Sequence, residues 1–127
     1  MSIIKIENDI IEYQIKDSVL YCQYKIKKID LEGAKKAVSL RKDFTNNSPF
    51  PNLIRGFDVI SMDKQARDFF STDQGTVGVS AGALLTNSVF QATLANFFLK
   101  VTNPKIPTKL FTDESKAILW LKQYIAK

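Results

Sequence analysis

The sequence contains no histidine. That absence removes Ser-His-Asp and Cys-His catalysis, histidine-ligated metals and imidazole acid–base chemistry together. A single cysteine, Cys22, excludes an internal disulfide and a cysteine-built structural metal site. Cys22 lies in VLYCQYKI, which alternates like a strand, so it reads as a packed thiol. No GxGxxG or GxxxxGK[ST] pattern occurs, and Gly75, Gly78 and Gly82 in GTVGVSAG fit neither fingerprint. No cofactor is expected. Long apolar runs are missing too. Residues 74–99 carry no charge, but Ser80, Thr86, Asn87, Ser88, Gln91, Thr93 and Asn96 interrupt them. A spanning helix needs about 20 predominantly apolar residues in one run, so no membrane span is expected. The opening MSIIKIENDIIEYQ lacks the apolar stretch of a signal peptide, which makes a cytoplasmic location the default expectation.

What is present fits one globular domain over residues 1–127. The hydrophobic fraction is 45%, and β-branched and aromatic residues are plentiful. The net charge of +5 comes from lysines scattered among acidic residues. Such a balance can steer acidic partners, but a solvated lysine-rich face explains it more simply. No recognition-helix cluster, zinc-finger spacing or aromatic–basic RNP pattern is present, so a nucleic-acid partner is not expected.

Three strands open the chain, around Ile3–Ile6, Ile10–Ile15 and Val19–Tyr24, with turn residues at Asn8-Asp9 and Lys16-Asp17-Ser18. Asp30 caps a helix over about 31–45. Gly33, Ala37, Leu40 and Phe44 share its inner face, while Lys35, Lys36, Arg41 and Lys42 reach solvent. Asn46-Asn47-Ser48-Pro49 stops it. A short strand follows at 52–57, then a loop, Asp58-Val59-Ile60, and a second helix capped by Ser61 with Asp63 in its first turn. Residues 77–85 make a strand of small side chains. Its glycines admit either a covering helix or a ligand close to backbone. Ser88 and Gln91 have capping-box spacing before a third helix, with Phe90, Leu94 and Phe97 as its apolar stripe. Thr108 to Phe111 forms the last strand, and a fourth helix runs through Tyr124 with Asp113 and Glu114 in its first turn. The order β-β-β-α-β-α-β-α-β-α predicts an α/β fold, a mixed sheet with about four helices.

This order, with FDVISMDKQARDFF at 57–70 and PTKLFTDESKAILWL at 107–121, resembles small standalone bacterial domains of the STAS type, the sulfate transporter and anti-sigma factor antagonist fold. The resemblance implies a STAS-like single domain acting by protein binding. In anti-sigma factor antagonists a serine in an Asp-Ser-Ser-Gly pattern, at the start of the helix after a central strand, is phosphorylated to switch partners. Aligned on that pattern, Asp63 matches the Asp, Lys64 and Gln65 stand where the serines would be, and Ala66 replaces the glycine. Gln65 has no hydroxyl, so the resemblance carries the fold without the phosphorylation switch. Ser61 is out of register, reading first as a cap and second as an alternative phosphoacceptor.

The resulting expectation is a non-enzymatic regulatory domain that meets an unidentified protein partner through Asp58, Ser61, Asp63, Lys64, Gln65 and Arg67. Asp63 and Arg67, four apart, are expected as an exposed ion pair. Two alternatives stay open. One is a carrier or sensor of a small apolar or amphipathic ligand, motivated by GVSAGALL beside a phenylalanine-rich helix. The other is an enzyme of unidentified class, which would need a cleft gathering at least two of Asp58, Asp63, Arg67, Tyr21 and Tyr24. An isoleucine-rich N-terminal edge further predicts a weak homodimer.

Overall fold

A computed structural model describes residues 4–56, 59–87 and 106–125 of the protein. The chain begins with a meander, β1 (Ile4–Glu7), β2 (Ile11–Lys16) and β3 (Val19–Tyr24). Asp17 and Ser18, at φ 51° and 65°, join Lys16 to its partner Val19 in a two-residue turn. That left-handed geometry matches the twist of the flanking strands. The Asn8 side chain accepts from the amides of Ile10 and Ile11 at 2.8 and 2.9 Å, turning β1 into β2.

Beyond the meander come β4 (Lys28–Ile29), α1 (Leu31–Thr45), β5 (Phe50–Arg55), β6 (Ser61–Met62), α2 (Lys64–Phe70), β7 (Val79–Leu85), β8 (Thr108–Phe111) and α3 (Glu114–Leu121). A single 3-10 turn, Lys122–Tyr124, follows α3. The main sheet has strand order β1-β2-β3-β5-β7-β8. Its first three strands are antiparallel, and β3, β5, β7 and β8 run parallel. This is the mixed α/β sheet predicted from the alternation of strands and helices. One feature was not predicted: β4 and β6 form a separate two-stranded parallel ladder, Lys28 against Ser61 and Ile29 against Met62. Two residues are too short to show a period-2 pattern. Among the described residues there are three α-helices; the helix expected from Ser88 and Gln91, with its Phe90, Leu94 and Phe97 stripe, lies outside them.

Strand boundaries move as well. β5 begins at Phe50, not Asn52, because the register slips between Phe50 and Pro51, a bulge that admits proline in a central strand. β7 starts at Val79, since Gly78 adopts φ 86°.

The period-2 alternation sorts the sheet into two faces. On one, Ile11, Tyr13, Leu20 and Cys22 pack against Ala34 and Ala37 of α1 and Ala66 of α2. On the other, Val19, Leu53, Ala81, Ala83 and Leu85 pack against Ala117 and Leu121 of α3. The small residues of β7 therefore divide. Ala81 and Ala83 permit the close approach of α3, whereas Gly82 lies on the α1–α2 side. Each fully buried Leu or Ile contributes about 1.5–3 kcal/mol, and the Tyr13 hydroxyl is satisfied by donating to the Ala37 carbonyl at 2.8 Å.

Asp30 caps α1, accepting from the Gly33 amide at 2.7 Å, and Asn46 at φ 53° ends it. Arg41 departs from expectation. It is only 6% exposed, donating from Nε to the Val77 carbonyl at 2.8 Å and from Nη2 to the Gly75 carbonyl. The 71–78 loop supplies oxygens that a helical wheel cannot foresee.

Candidate functional site

The segment from β6 into α2 carries the predicted partner residues. Asp63, not Ser61, is the N-cap of α2: its carboxylate accepts from the Ala66 amide at 2.9 Å. Ser61 is committed to the β4–β6 ladder, two positions too early to reach those amides. Ser61, Asp63, Lys64 and Gln65 are exposed. Asp58 lies outside the described residues. The expected Asp63–Arg67 ion pair does not form, because Asp63 is engaged in capping. Lys64 pairs instead with Asp68 at 2.7 Å, one turn along the helix.

Arg67 turns beneath the surface formed by the other four. Its Nη1 donates to the Met62 carbonyl at 3.0 Å, and its Nε is buried with no hydrogen-bond partner. The residue lines a cavity of about 250 Å³ between the sheet and the α1–α2 layer. Ile11, Ile29, Ile54, Met62, Phe70 and Leu84 supply much of its apolar wall, and Gly82 leaves space where another strand residue would place a side chain. Ile60 and Ser61 both line the cavity and are exposed, which places an opening at this segment.

Most polar groups on the wall serve the fold. Asn52 is 1% exposed; its Nδ2 donates to the carbonyls of Phe50 and Gly78 at 2.8 and 3.3 Å, and its Oδ1 accepts from Cys22 Sγ at 3.4 Å. Arg41 holds the 71–78 loop. The Ser71 and Thr108 hydroxyls donate to the carbonyls of Arg67 and Ile106 at 3.2 and 3.0 Å. Burial pushes the Cys22 thiol up to about 12, so it stays protonated and inert at neutral pH. Burial also raises the Tyr24 phenol, with the neighbouring Cys22 adding to the effect.

Among the described residues, two buried side-chain atoms have no partner, Arg67 Nε and the Thr86 hydroxyl, and both belong to residues lining this cavity. Thr86 is 7% exposed and directly follows β7, at the carboxyl end of the parallel strands. An orphaned buried polar group costs about 1–3 kcal/mol. Neither Asp nor Glu lines the cavity among the described residues, although two arginines do.

Of the residues considered for catalysis, Tyr24 and Arg67 share the cavity. Tyr21 lies on the opposite face, beneath the Arg55 guanidinium at 5.2 Å, and Asp63 caps α2. With its phenol raised further above neutrality, Tyr24 is a poor acid or base at physiological pH. No group of three His, Cys, Asp or Glu residues able to hold a metal occurs among the described residues, and no helix among them is long and apolar enough to cross a membrane.

The sequence reading missed Thr86 and Asn52, and it placed Arg67 in an exposed pair. A buried-strand asparagine and a glycine at an inward strand position were the available signals. Neither can be recognised until strand phase is known.

Residues 13–125 match the profile of a family described as Domain of unknown function (DUF7793). No curated protein matches the chain. Among solved structures, the chain is similar to an uncharacterized DUF3478-family protein with a SpoIIAA-like fold from Shewanella loihica. The TM-score is 0.58 at 14% identity, covering 94% of this chain and 92% of that one. That likeness shows a STAS-like fold and no more. A protein of unknown function from Arthrobacter sp. FB24 aligns at 25% identity over 85% of this chain and 95% of its own, with a TM-score of 0.32, too low to support an argument.

Proposed function

The chain belongs to the DUF7793 family, and we propose that it is a non-enzymatic binding domain that takes a small, predominantly apolar molecule into the cavity between its sheet and the α1–α2 layer. The cavity carries this reading. At about 250 Å³ it exceeds the roughly 150 Å³ apolar cavity known to hold benzene. It also combines apolar walls with a few polar groups, the usual composition of a ligand site. The test is native mass spectrometry of gently purified protein, together with titration of a neutral fluorescent probe. A copurified mass or saturable probe binding supports the reading; neither a mass nor probe binding refutes it.

A second reading is supported by the STAS-like fold and by the exposure of Ser61, Asp63, Lys64 and Gln65 at the start of α2. In it, this patch, with Asp58, meets a cytoplasmic protein partner as anti-sigma factor antagonists do. Gln65 stands at the place of the phosphorylatable serine, so exchange is not governed by phosphorylation there. Pull-down from native lysate comparing wild type with Lys64→Glu tests it; an unchanged set of captured proteins counts against it. A weak homodimer through β1, an edge of the main sheet, completes the proposal. Light scattering over a concentration series checks it, and a constant monomer mass refutes it.

A further inference from the structure

We infer that the cavity selects an anionic amphipath, a molecule with a carboxylate-like head held by Arg67 and Thr86 and an aliphatic or aromatic body against the apolar wall. The inference rests on the ligand-binding reading above and specifies its chemistry.

Three observations converge. First, the two orphaned buried atoms among the described residues are an N–H donor, Arg67 Nε, and a hydroxyl, Thr86 Oγ1, and both residues line one cavity. Buried polar groups are almost always paired, so an orphan is a place to look for an absent partner. Second, the charge is one-sided. Arg41 and Arg67 line the cavity without any described carboxylate, and neither forms an ion pair with a described acidic residue. Arg41 is occupied by two carbonyls of the 71–78 loop. Arg67 gives only Nη1 to Met62, which leaves Nε at the side-on edge of the guanidinium, an edge suited to the two oxygens of a carboxylate. Third, the topology gathers both groups at one end. Thr86 follows the last residue of β7, and Arg67 is tied to Met62 in β6, the segment that also opens to solvent. Carboxyl ends of parallel strands are the usual ligand end of open α/β sheets. Gly82, Ile54 and Leu84, deeper along the strands, would contact the tail.

A neutral ligand would leave the half-buried Arg67 guanidinium without a counter-charge, and a cation beside it would be repelled. Hydrogen bonds to charged groups translate into roughly tenfold or greater preference.

The test is displacement of neutral N-phenylnaphthylamine from the full chain by decanoate, decanol and decyltrimethylammonium. Decanoate is expected to compete at least about tenfold better than decanol, and decyltrimethylammonium worst. Arg67→Met should bring decanoate down to decanol, and Thr86→Val should weaken decanoate alone. Gly82→Leu should abolish probe binding, because a Cβ there meets only ordinary contacts, Ile54 Cδ1 at 3.7 Å and Thr108 at 3.8 Å, and the rest of the leucine enters the cavity. Circular dichroism confirms folding of each variant. If Arg67→Met does not fold, the wild-type headgroup comparison and Thr86→Val decide. Equal competition by decanoate and decanol, or preference for the cation, overturns the anionic head while leaving the cavity reading intact. Absence of probe binding to wild type, or binding undiminished in folded Gly82→Leu, overturns the cavity reading itself.

Discussion

Arg41→Met tests whether one buried guanidinium holds the 71–78 loop against α1. Methionine keeps most of the aliphatic stem and removes the charge. Arg41 Nε donates to the Val77 carbonyl at 2.8 Å and Nη2 to that of Gly75. Both acceptors would lose a charge-assisted bond worth about 1.5–3 kcal/mol. Retained stem packing and partial hydration reduce the sum, so a loss of about 3–5 kcal/mol is expected. Against a typical total of about 5–15 kcal/mol, this is a large fraction. The loop has little freedom to compensate. A Cβ on Gly75 would lie 2.0 Å from the Phe69 carbonyl oxygen, and one on Gly78 would lie 3.1 Å from Thr45 Oγ1 and 3.4 Å from Arg41 Cγ. Equilibrium urea unfolding followed by circular dichroism gives the free energy, and a melt should fall by roughly 10–20 °C. A loss below about 1 kcal/mol with an unchanged denaturant slope would refute the clamp.

Gly78→Ala should cost about 1–3 kcal/mol by thermal melt, because φ is 86° and Thr45 crowds the site, whereas Gly82→Ala should be neutral or slightly stabilising. Asp63→Ala should lose about 1 kcal/mol as a lost cap while Ser61→Ala stays within about 0.5 kcal/mol; the reverse ranking would return the cap to Ser61. Native Cys22 should resist thiol reagents at neutral pH until urea unfolds the chain. Its thiol rises on folding from the ordinary 9.0 to about 12. The unfolded chain therefore releases the proton first, and the stability from this group, full below pH 9, declines between about pH 9 and 12. Urea midpoints that do not fall over that window would contradict the burial of Cys22.

The strand and helix alternation was legible because each element carries its own period. Tyr13, Cys22 and Tyr24 alternate in phase, and Gly33 and Ala37 stack on one helical face. The terminating residues Asp17-Ser18 and Asn46 also act locally, through the backbone angles they tolerate. The candidate site was legible only in part. Lys64 and Gln65 sit on the surface as their polarity suggests, and the glycine in GVSAGALL already admitted a ligand. The opposite fates of neighbours could not be read, with Ala83 under α3 and Gly82 on the cavity. Nor could the inward turn of Arg67, which depends on a carbonyl in a two-residue strand.

By itself the sequence determined the α/β class, the turns, one of the three described helix N-caps, Asp30, and the absence of histidine chemistry, since each follows from a residue and its near neighbours; Asp113, expected in the first turn of the last helix, is its cap instead. Tertiary structure alone decided that Arg41 is buried, that Asp63 rather than Ser61 caps α2, and that Arg67 and Thr86 face a common cavity. These depend on distant segments, Met62 with Arg67 and Gly75 and Val77 with Arg41. Hydrogen-bond satisfaction and cavity shape are properties of what surrounds a side chain, and only packing defines those surroundings.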